Sequence, residues 1–307
     1  MNDRPVWFNG DIINASDAKI SVFSPTAQFG LNVFEGVRCY KNPISGVVYA
    51  FRLSDHLNRL WESCKIIGLE PAYTKEDIVK GIEQLFALNF YEGDVSLRIT
   101  FFVYEEGSWQ NSSPVGLFIA PISKERNTSP SRNAKTAGVS SWQRISDLCL
   151  PPRVKAGANY INGRYAQLEA KNKGYSLPIF LDNRGMVSEG AGACIMIKKG
   201  TKLITPGLSS SILESITRDT LLRIVKDMGV DIEVRDVNRS ELYVADEVFF
   251  CGSAAELTAI SSVDGYKLPA SKSFTDKLSE AYFSFADGSN DFNNEWLQPV
   301  GGNFNGN

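Results

Sequence analysis

Lys155 is the residue best suited to covalent chemistry in this 307-residue chain. It opens "KAGANY" (Lys155–Tyr160), where Ala156, Gly157 and Ala158 let the backbone come close to whatever the amine touches. An amine acting as a nucleophile must lose its proton, so its pKa must fall well below roughly 10.4. Burial against an apolar wall or beside a second cation achieves that, and Tyr160 could hydrogen-bond the phenolate of a bound aldehyde. The plain alternative is a solvated lysine ahead of a helix. Downstream, Glu189 follows a predicted strand and opens "EGAGA". Gly190 and Gly192 match the first two glycines of a dinucleotide fingerprint, but Ile195 occupies the third, so that motif is absent. A carboxylate against glycine backbone can instead hold a proton on a heterocyclic nitrogen, or it can be an ordinary turn residue.

Two further stretches could cradle a phosphate. "SITRD" (Ser215–Asp219) begins a predicted helix, whose first N–H groups and dipole favour an anion. "GSAAE" (Gly252–Glu256) has the form of a capping box with Ser253 at the cap position. Either can equally be a plain helix cap. Arg59, read as lying on the hydrophilic side of a predicted helix, could add a guanidinium fork to the phosphate, or be an ordinary surface arginine. A nucleophilic lysine, an acid for a ring nitrogen, a tyrosine and phosphate donors together are what pyridoxal phosphate requires of a protein.

Composition removes several competitors. The single histidine, His56, leaves no multi-histidine metal site within one chain and only one candidate for a histidine-based triad. His56 sits in "SDHLNRLWESCKIIG", where Leu57, Leu60, Trp61, Cys64 and Ile67 trace a helical stripe, and it is read as holding that helix's first turn. The net charge of −3 speaks against a nucleic-acid binder. The start is polar, and no stretch reaches the roughly 18 apolar residues of a membrane span. Cys39, Cys64, Cys149, Cys194 and Cys251 form no close pair, as expected of reduced thiols in the cytoplasm.

The elements that must position these residues read as α+β. A hairpin turns at Asn9-Gly10, short strands follow, and helices are predicted over Ser54–Gly68 and Lys75–Asn89. "VSLRITFFVY" and "VGLFIAPIS" read as strands. The predicted division is a small domain over 1–123, a polar linker over 124–136 ("KERNTSPSRNAKT") and a larger domain over 137–307. In the larger domain, "NYINGRYAQLEAKNKG" and "ITRDTLLRIVKDMG" read as helices, and strands run through "PIFLDNRGMVSEGAGACIMIKKGTKLITP", "DIEVRDV" and "ADEVFFCGS". A helix near "SFTDKLSEAYFSFA" comes last, and the Asn/Gly-rich tail is expected to be loose, with Trp296 and Leu297 able to dock.

These motifs resemble the fold-type IV pyridoxal-phosphate enzymes, most closely the branched-chain amino acid aminotransferases, over nearly the whole chain. "FGLNVFEGVRCY", "HLNRL", "KAGANY", "VSEGAGA", "ESITRD" and "YVADEVFFCGSAAELTAI" follow in the family's order. The resemblance implies a two-domain α+β fold like that of D-amino acid aminotransferase, with the cofactor between the domains. It further implies a homodimer in which a partner loop helps close the pocket. Lys155 would form the imine link and then shuttle a proton. Glu189 would pair with the pyridine nitrogen and Tyr160 with the phenolic oxygen. Arg59, the backbone of Ile216 and Thr217, and the Ser253 hydroxyl would hold the phosphate. Phe29, Phe34, Gly36, Arg98 and Ala254 fall where the family builds its substrate pocket.

The implied reaction moves the amino group of a branched-chain or other apolar L-amino acid to a 2-oxo acid such as 2-oxoglutarate by a ping-pong cycle. No metal takes part. D-amino acid and (R)-amine transaminases, aminodeoxychorismate lyases and a non-catalytic relative are the alternatives. The chain departs from the branched-chain pattern at several points. Phe29 and Ser96 stand where tyrosines are common, Ser253 replaces a threonine, Ser215 replaces a glycine, and "EGAGAC" lacks the usual Glu-Asn. An unmatched buried polar group costs roughly 1–3 kcal/mol, so losing two phenols alters how a substrate carboxylate is held.

Overall fold

Asn9 and Gly10 have φ of 50° and 105°, the positive values that a two-residue hairpin turn demands. They join β1 (Pro5–Phe8) to β2 (Asp11–Asn14), with Pro5 opposite Asn14 and Phe8 opposite Asp11. The computed structural model describes residues 4–88, 91–290 and 294–302. A short α1 (Pro25–Phe29) follows, capped by the Ser24 side chain on the Ala27 N–H. Next come β3 (Asn32–Lys41), β4 (Val48–Phe51), α2 (Leu53–Ile67), α3 (Lys75–Leu88), β5 (Val95–Val103) and β6 (Val115–Ser123). Helix α2 ends at Gly68, whose φ of 72° is the left-handed cap that glycine supplies most easily. Of the predicted Lys75–Asn89 helix, Asn89 lies outside the described residues.

The chain then builds β7 (Lys135–Gln143), α4 (Tyr160–Asn172), β8 (Leu177–Leu181), β9 (Val187–Gly190), β10 (Cys194–Lys199), β11 (Lys202–Thr205) and α5 (Ile216–Asp227). After these come β12 (Asp231–Val234), β13 (Glu247–Gly252), β14 (Glu256–Val263), the short β15 (Tyr266–Lys267), α6 (Ser273–Ala286) and β16 (Leu297–Gly301). Two units result. One comprises Met1–Glu125, Val154–Ala158 and Ser284–Asn307; the other comprises Arg126–Arg153 and Asn159–Phe283. The units interleave along the chain, and Lys155 belongs to the first.

The first unit holds a seven-stranded antiparallel sheet ordered β16-β4-β3-β5-β6-β1-β2. Successive side chains of a strand point to opposite faces. Val33, Glu35, Val37 and Cys39 of β3 therefore share one face, and Phe34 and Gly36 share the other. The first face packs with Leu57, Leu60 and Cys64 of α2 and Ile78, Ile82 and Leu85 of α3. Each such aliphatic side chain contributes about 1.5–3 kcal/mol on burial.

The second unit holds strands ordered β12-β11-β10-β13-β14-β7-β8-β9, and β9 pairs back onto β10 through Glu189 and Cys194. The run from β10 to β9 is thereby closed into a ring. Ile179, Val187, Ile195, Ile197, Val248, Phe250 and Ile260 pack into one core. Helix α5 starts at Ser215, whose hydroxyl accepts from the Arg218 N–H, and the chain turns at Gly229 with φ 69°. No helix among the described residues is long and apolar enough to cross a membrane.

Two expectations are corrected here. The tail is not loose throughout: Leu297–Gly301 adds an edge strand to β4, and Trp296 is buried with its ring 5.9 Å from that of Phe51. Nor does "GSAAE" cap a helix. It is the turn between β13 and β14, and the Glu256 carboxylate accepts from the Asn127 N–H at 2.7 Å.

Candidate active site

Lys155 is fixed through its backbone. The edge of β3 is paired by β4 only from Cys39 to Lys41, and further back the Lys155 segment takes that edge. Val33 and Ala156 form an antiparallel bridge, the Phe34 N–H donates to the Lys155 carbonyl at 3.0 Å, and the Gly157 N–H donates to the Asn32 carbonyl at 3.2 Å. The Lys155 N–H in turn donates to Ser63 Oγ of α2 at 3.2 Å. A Cβ on Gly157 would stand 2.6 Å from the Asn32 side-chain amide, which would have to swing aside for any larger residue. The lysine Nζ lies 5.2 Å from the centre of the Phe34 ring, and the Arg98 guanidinium lies 4.1 Å from the same ring. Arg98 reaches it because it pairs with Gly36 across β3 and β5. Two cations thus meet one aromatic ring. Phe29, at the end of α1, is half exposed.

Arg59 is not on the hydrophilic side of its helix. It is buried and faces Glu35, which is itself fully buried on the core side of β3. Arg59 Nε donates to Glu35 Oε1 at 2.7 Å and Nη2 donates to Oε2 at 2.8 Å. His56, one turn earlier, bonds Glu35 Oε2 through Nδ1 at 2.7 Å, so it serves this cluster rather than the helix's first turn. Burial by itself would raise the Glu35 pKa. The charges and hydrogen bonds of Arg59 and His56 outweigh it and hold the carboxyl far below the usual range. Burial also lowers the His56 pKa; Arg59 and Lys155 push the same way and Glu35 opposes them.

A pH effect follows. As pH falls through about 6.5 the unfolded histidine takes up a proton that the folded one refuses, so stability declines by at most about 1.4 kcal/mol per pH unit. Glu35 stays ionised over that range, and its own contribution is lost only below the unfolded carboxylate value of about 4.3. His56→Asn, which keeps a donor for Glu35, should flatten the decline between about pH 6.5 and 5.5 in chemical denaturation. An unchanged slope would remove His56 from this role.

In the second unit, Glu189 lies within β9 rather than after a strand, and it is buried. Arg144 donates to its Oε1 through Nε and Nη2, both at 2.8 Å, while the Leu213 N–H and Cys194 Sγ approach Oε2 at 3.3 Å and 3.7 Å. Arg144 also donates to Asn162 of α4 at 3.3 Å, tying that helix to the carboxylate. Tyr160 opens α4 and is partly exposed. Ile216 and Thr217, both buried, form the first turn of α5, at the positive end of its dipole. Ser253 and Ala254 lie in the β13–β14 turn, and Ala254 lines a cavity of about 490 Å³ together with the Gly190–Ala193 turn, Phe250 and Thr258.

Gly163 lets α4 approach that turn, since a Cβ there would stand 2.7 Å from the Ala191 carbonyl oxygen. Alanine gains about 1 kcal/mol of helix propensity over glycine. A backbone oxygen cannot rotate aside, so Gly163→Ala is nevertheless expected to lower stability by about 1–2 kcal/mol in thermal or chemical denaturation. A stabilised variant would show that the turn yields.

The first unit therefore brings together Phe34, Gly36, Arg98 and Lys155 along β3 and its neighbours, with Arg59 behind Glu35. The second unit carries Tyr160, Glu189, Ile216, Thr217, Ser253 and Ala254. The sequence did not single out Glu35 or Arg144. An acid at a core-facing strand position was the available signal for Glu35; "WQRIS" holds none for Arg144.

The family model for class IV amino-transferases matches residues 32–263. The branched-chain-amino-acid aminotransferase of Escherichia coli K12 is 32% identical over 302 residues, 96% of this chain and 97% of that protein. The corresponding Salmonella typhimurium protein is 33% identical over the same shares. Among solved structures, the branched-chain aminotransferase of Thermoproteus uzoniensis with norvaline has a TM-score of 0.91 at 35% identity, covering 97% of this chain and all of that one. That of Thermobaculum terrenum in its PLP form has a TM-score of 0.90 at 35% identity, covering 98% and 99%. On the length of these matches and their identity, the chain belongs to the class IV aminotransferase family.

Proposed function

We propose that this protein is a pyridoxal-phosphate-dependent branched-chain aminotransferase that passes the amino group of Leu, Ile, Val or a similar apolar L-amino acid to 2-oxoglutarate. The observation that carries the reading is the bridge between Lys155–Gly157 and β3, which sets the amine beside Phe34, the ring that Arg98 also meets. The donor set fits the cofactor. A helix N-terminus and a guanidinium suit a phosphate, and a buried, arginine-paired carboxylate suits a protonated ring nitrogen.

When bound, the cofactor supplies an aldehyde carbon for an amine and a ring that accepts electrons. The Lys155 amine would carry the covalent link and, once displaced by substrate, would take the proton from the substrate's Cα and deliver it to the cofactor's former aldehyde carbon. Glu189 would face the ring nitrogen, and Arg144, bonded to its Oε1, would keep the carboxylate aimed. The Tyr160 hydroxyl would donate to the phenolic oxygen. Arg59, the N–H groups of Ile216 and Thr217, and the Ser253 hydroxyl would hold the phosphate. Phe34 and Phe29 would offer apolar surface to the substrate side chain, Arg98 would receive the carboxylate, and Gly36 and Ala254 would leave room for it.

The purified protein should be yellow. L-leucine should bleach the visible band and 2-oxoglutarate should restore it. A yellow protein that no branched L-amino acid bleaches would remove the substrate assignment and leave the cofactor. The working form is a homodimer in the cytoplasm. Half-exposed aromatic and aliphatic residues such as Trp142, stacked on Tyr165 at 4.9 Å, and Leu150 support the first point, and free cysteines support the second. Light scattering that gives a monomer's mass would refute the dimer.

A further inference from the structure

We infer that Glu35 is the positioning residue for phosphate recognition: it locks the plane of the Arg59 guanidinium and cancels its charge, so that the phosphate is read by directed N–H donors. The inference rests on the proposed role of Arg59 as a phosphate ligand.

An acid facing the core needs a specific reason. Glu35 shares its face of β3 with Val33, Val37 and Cys39 and has no exposed surface. An isolated carboxylate there would be strongly disfavoured. Glu35 instead meets three donors on α2: Arg59 Nε at 2.7 Å, Arg59 Nη2 at 2.8 Å and His56 Nδ1 at 2.7 Å. The two arginine bonds form a fork-to-fork pair, which fixes the rotation of the guanidinium as well as its position. A guanidinium has five N–H donors in one rigid plane, so committing two of them to Glu35 dictates where the other three point. Buried, Arg59 lacks the freedom by which a surface arginine searches for its partner. His56 completes the carboxylate's coordination without adding charge, because its protonated form is disfavoured by burial.

Two physical pictures then make opposite forecasts for Glu35→Gln. If net positive charge held the phosphate, removing the carboxylate would unmask Arg59 and tighten binding. If orientation holds it, glutamine weakens binding, because its amide nitrogen opposes one of the arginine donors and breaks the fork.

The test is to remove the cofactor from wild type, Glu35→Gln and Arg59→Ala and titrate each with pyridoxal phosphate and with pyridoxal, following absorbance. Arg59→Ala should lower the affinity for pyridoxal phosphate while leaving pyridoxal unchanged. Glu35→Gln should lower the ratio of the two affinities by roughly tenfold to a hundredfold, the span of one or two charge-assisted hydrogen bonds. General loosening of the fold would weaken both ligands equally, and that outcome overturns the assignment. A ratio held or raised in Glu35→Gln, alongside a lowered ratio in Arg59→Ala, also overturns it. A ratio untouched by Arg59→Ala instead removes Arg59 from the phosphate, and the inference goes with it. Should Glu35→Gln fail to fold, Glu35→Asp keeps the charge but shortens the reach. It is expected to show the same drop in ratio, and a full ratio would equally overturn the assignment.

Discussion

Lys155→Ala is expected to cut turnover by at least about 10⁴-fold, since a positioned acid–base group alone contributes up to that factor and the covalent link is lost as well. The variant should still fold. The hydrogen bonds that fasten the segment, Phe34 N–H to the Lys155 carbonyl, Gly157 N–H to the Asn32 carbonyl and Lys155 N–H to Ser63, all use backbone atoms of residues 155 and 157. The side chain's loss removes its contact with the Phe34 ring, worth about 0.5–1 kcal/mol at most exposed sites. Catalysis and stability should therefore separate, with activity gone and the denaturation midpoint near that of wild type. Borohydride reduction followed by peptide mapping supplies the independent reading, with a cofactor adduct on Lys155 in the wild type and none in the variant. Retained turnover, or an adduct on another lysine, would sink the assignment.

Glu189→Gln is expected to reduce kcat by about 10²–10³-fold, the usual effect of removing one preorganised electrostatic group from an active site. Stability should fall too. Arg144 would lose its counter-charge at a site where the two side chains are only 10% and 4% exposed, and orphaning one member of a buried pair costs about 3–5 kcal/mol. The two effects can be pulled apart with Glu189→Gln combined with Arg144→Met. The double variant should regain much of the stability, since the stranded charge is gone, while kcat stays low. Recovery of kcat in the double variant would show that Arg144, and not the ring nitrogen, was what Glu189 served.

What could be read from residues alone follows a physical boundary. The Asn9-Gly10 hairpin and the ends of α2 and α5 at Gly68 and Gly229 were legible because left-handed backbone selects glycine or asparagine locally. Ser253 misled for the same local reason: a serine three residues before a glutamate suits a capping box, yet Glu256 is drawn to the Asn127 N–H far away in sequence. Arg59 appeared polar-facing because a helical pattern shows only which residues are apolar, and it cannot show that an acid waits on the opposing strand. Leu297–Gly301 looked like tail because a strand of few residues is defined by its partner, and β4 lies near the start of the chain. The approach of Lys155 to Phe34 was hidden likewise, being a short bridge between distant segments.

The late return of β16 bears on the order of assembly at the ribosome. Residues 159–283 emerge as one uninterrupted stretch and contain most of what the second unit needs, whereas the sheet begun by β1 waits for Leu297–Gly301 to cover the flank of β4. Vectorial synthesis ordinarily lets the N-terminal portion mature first. Here the strands from β1 to β6 must remain an unfinished platform, with the flank of β4 bare to chaperones and to neighbouring nascent chains, until Leu297–Gly301 has been made.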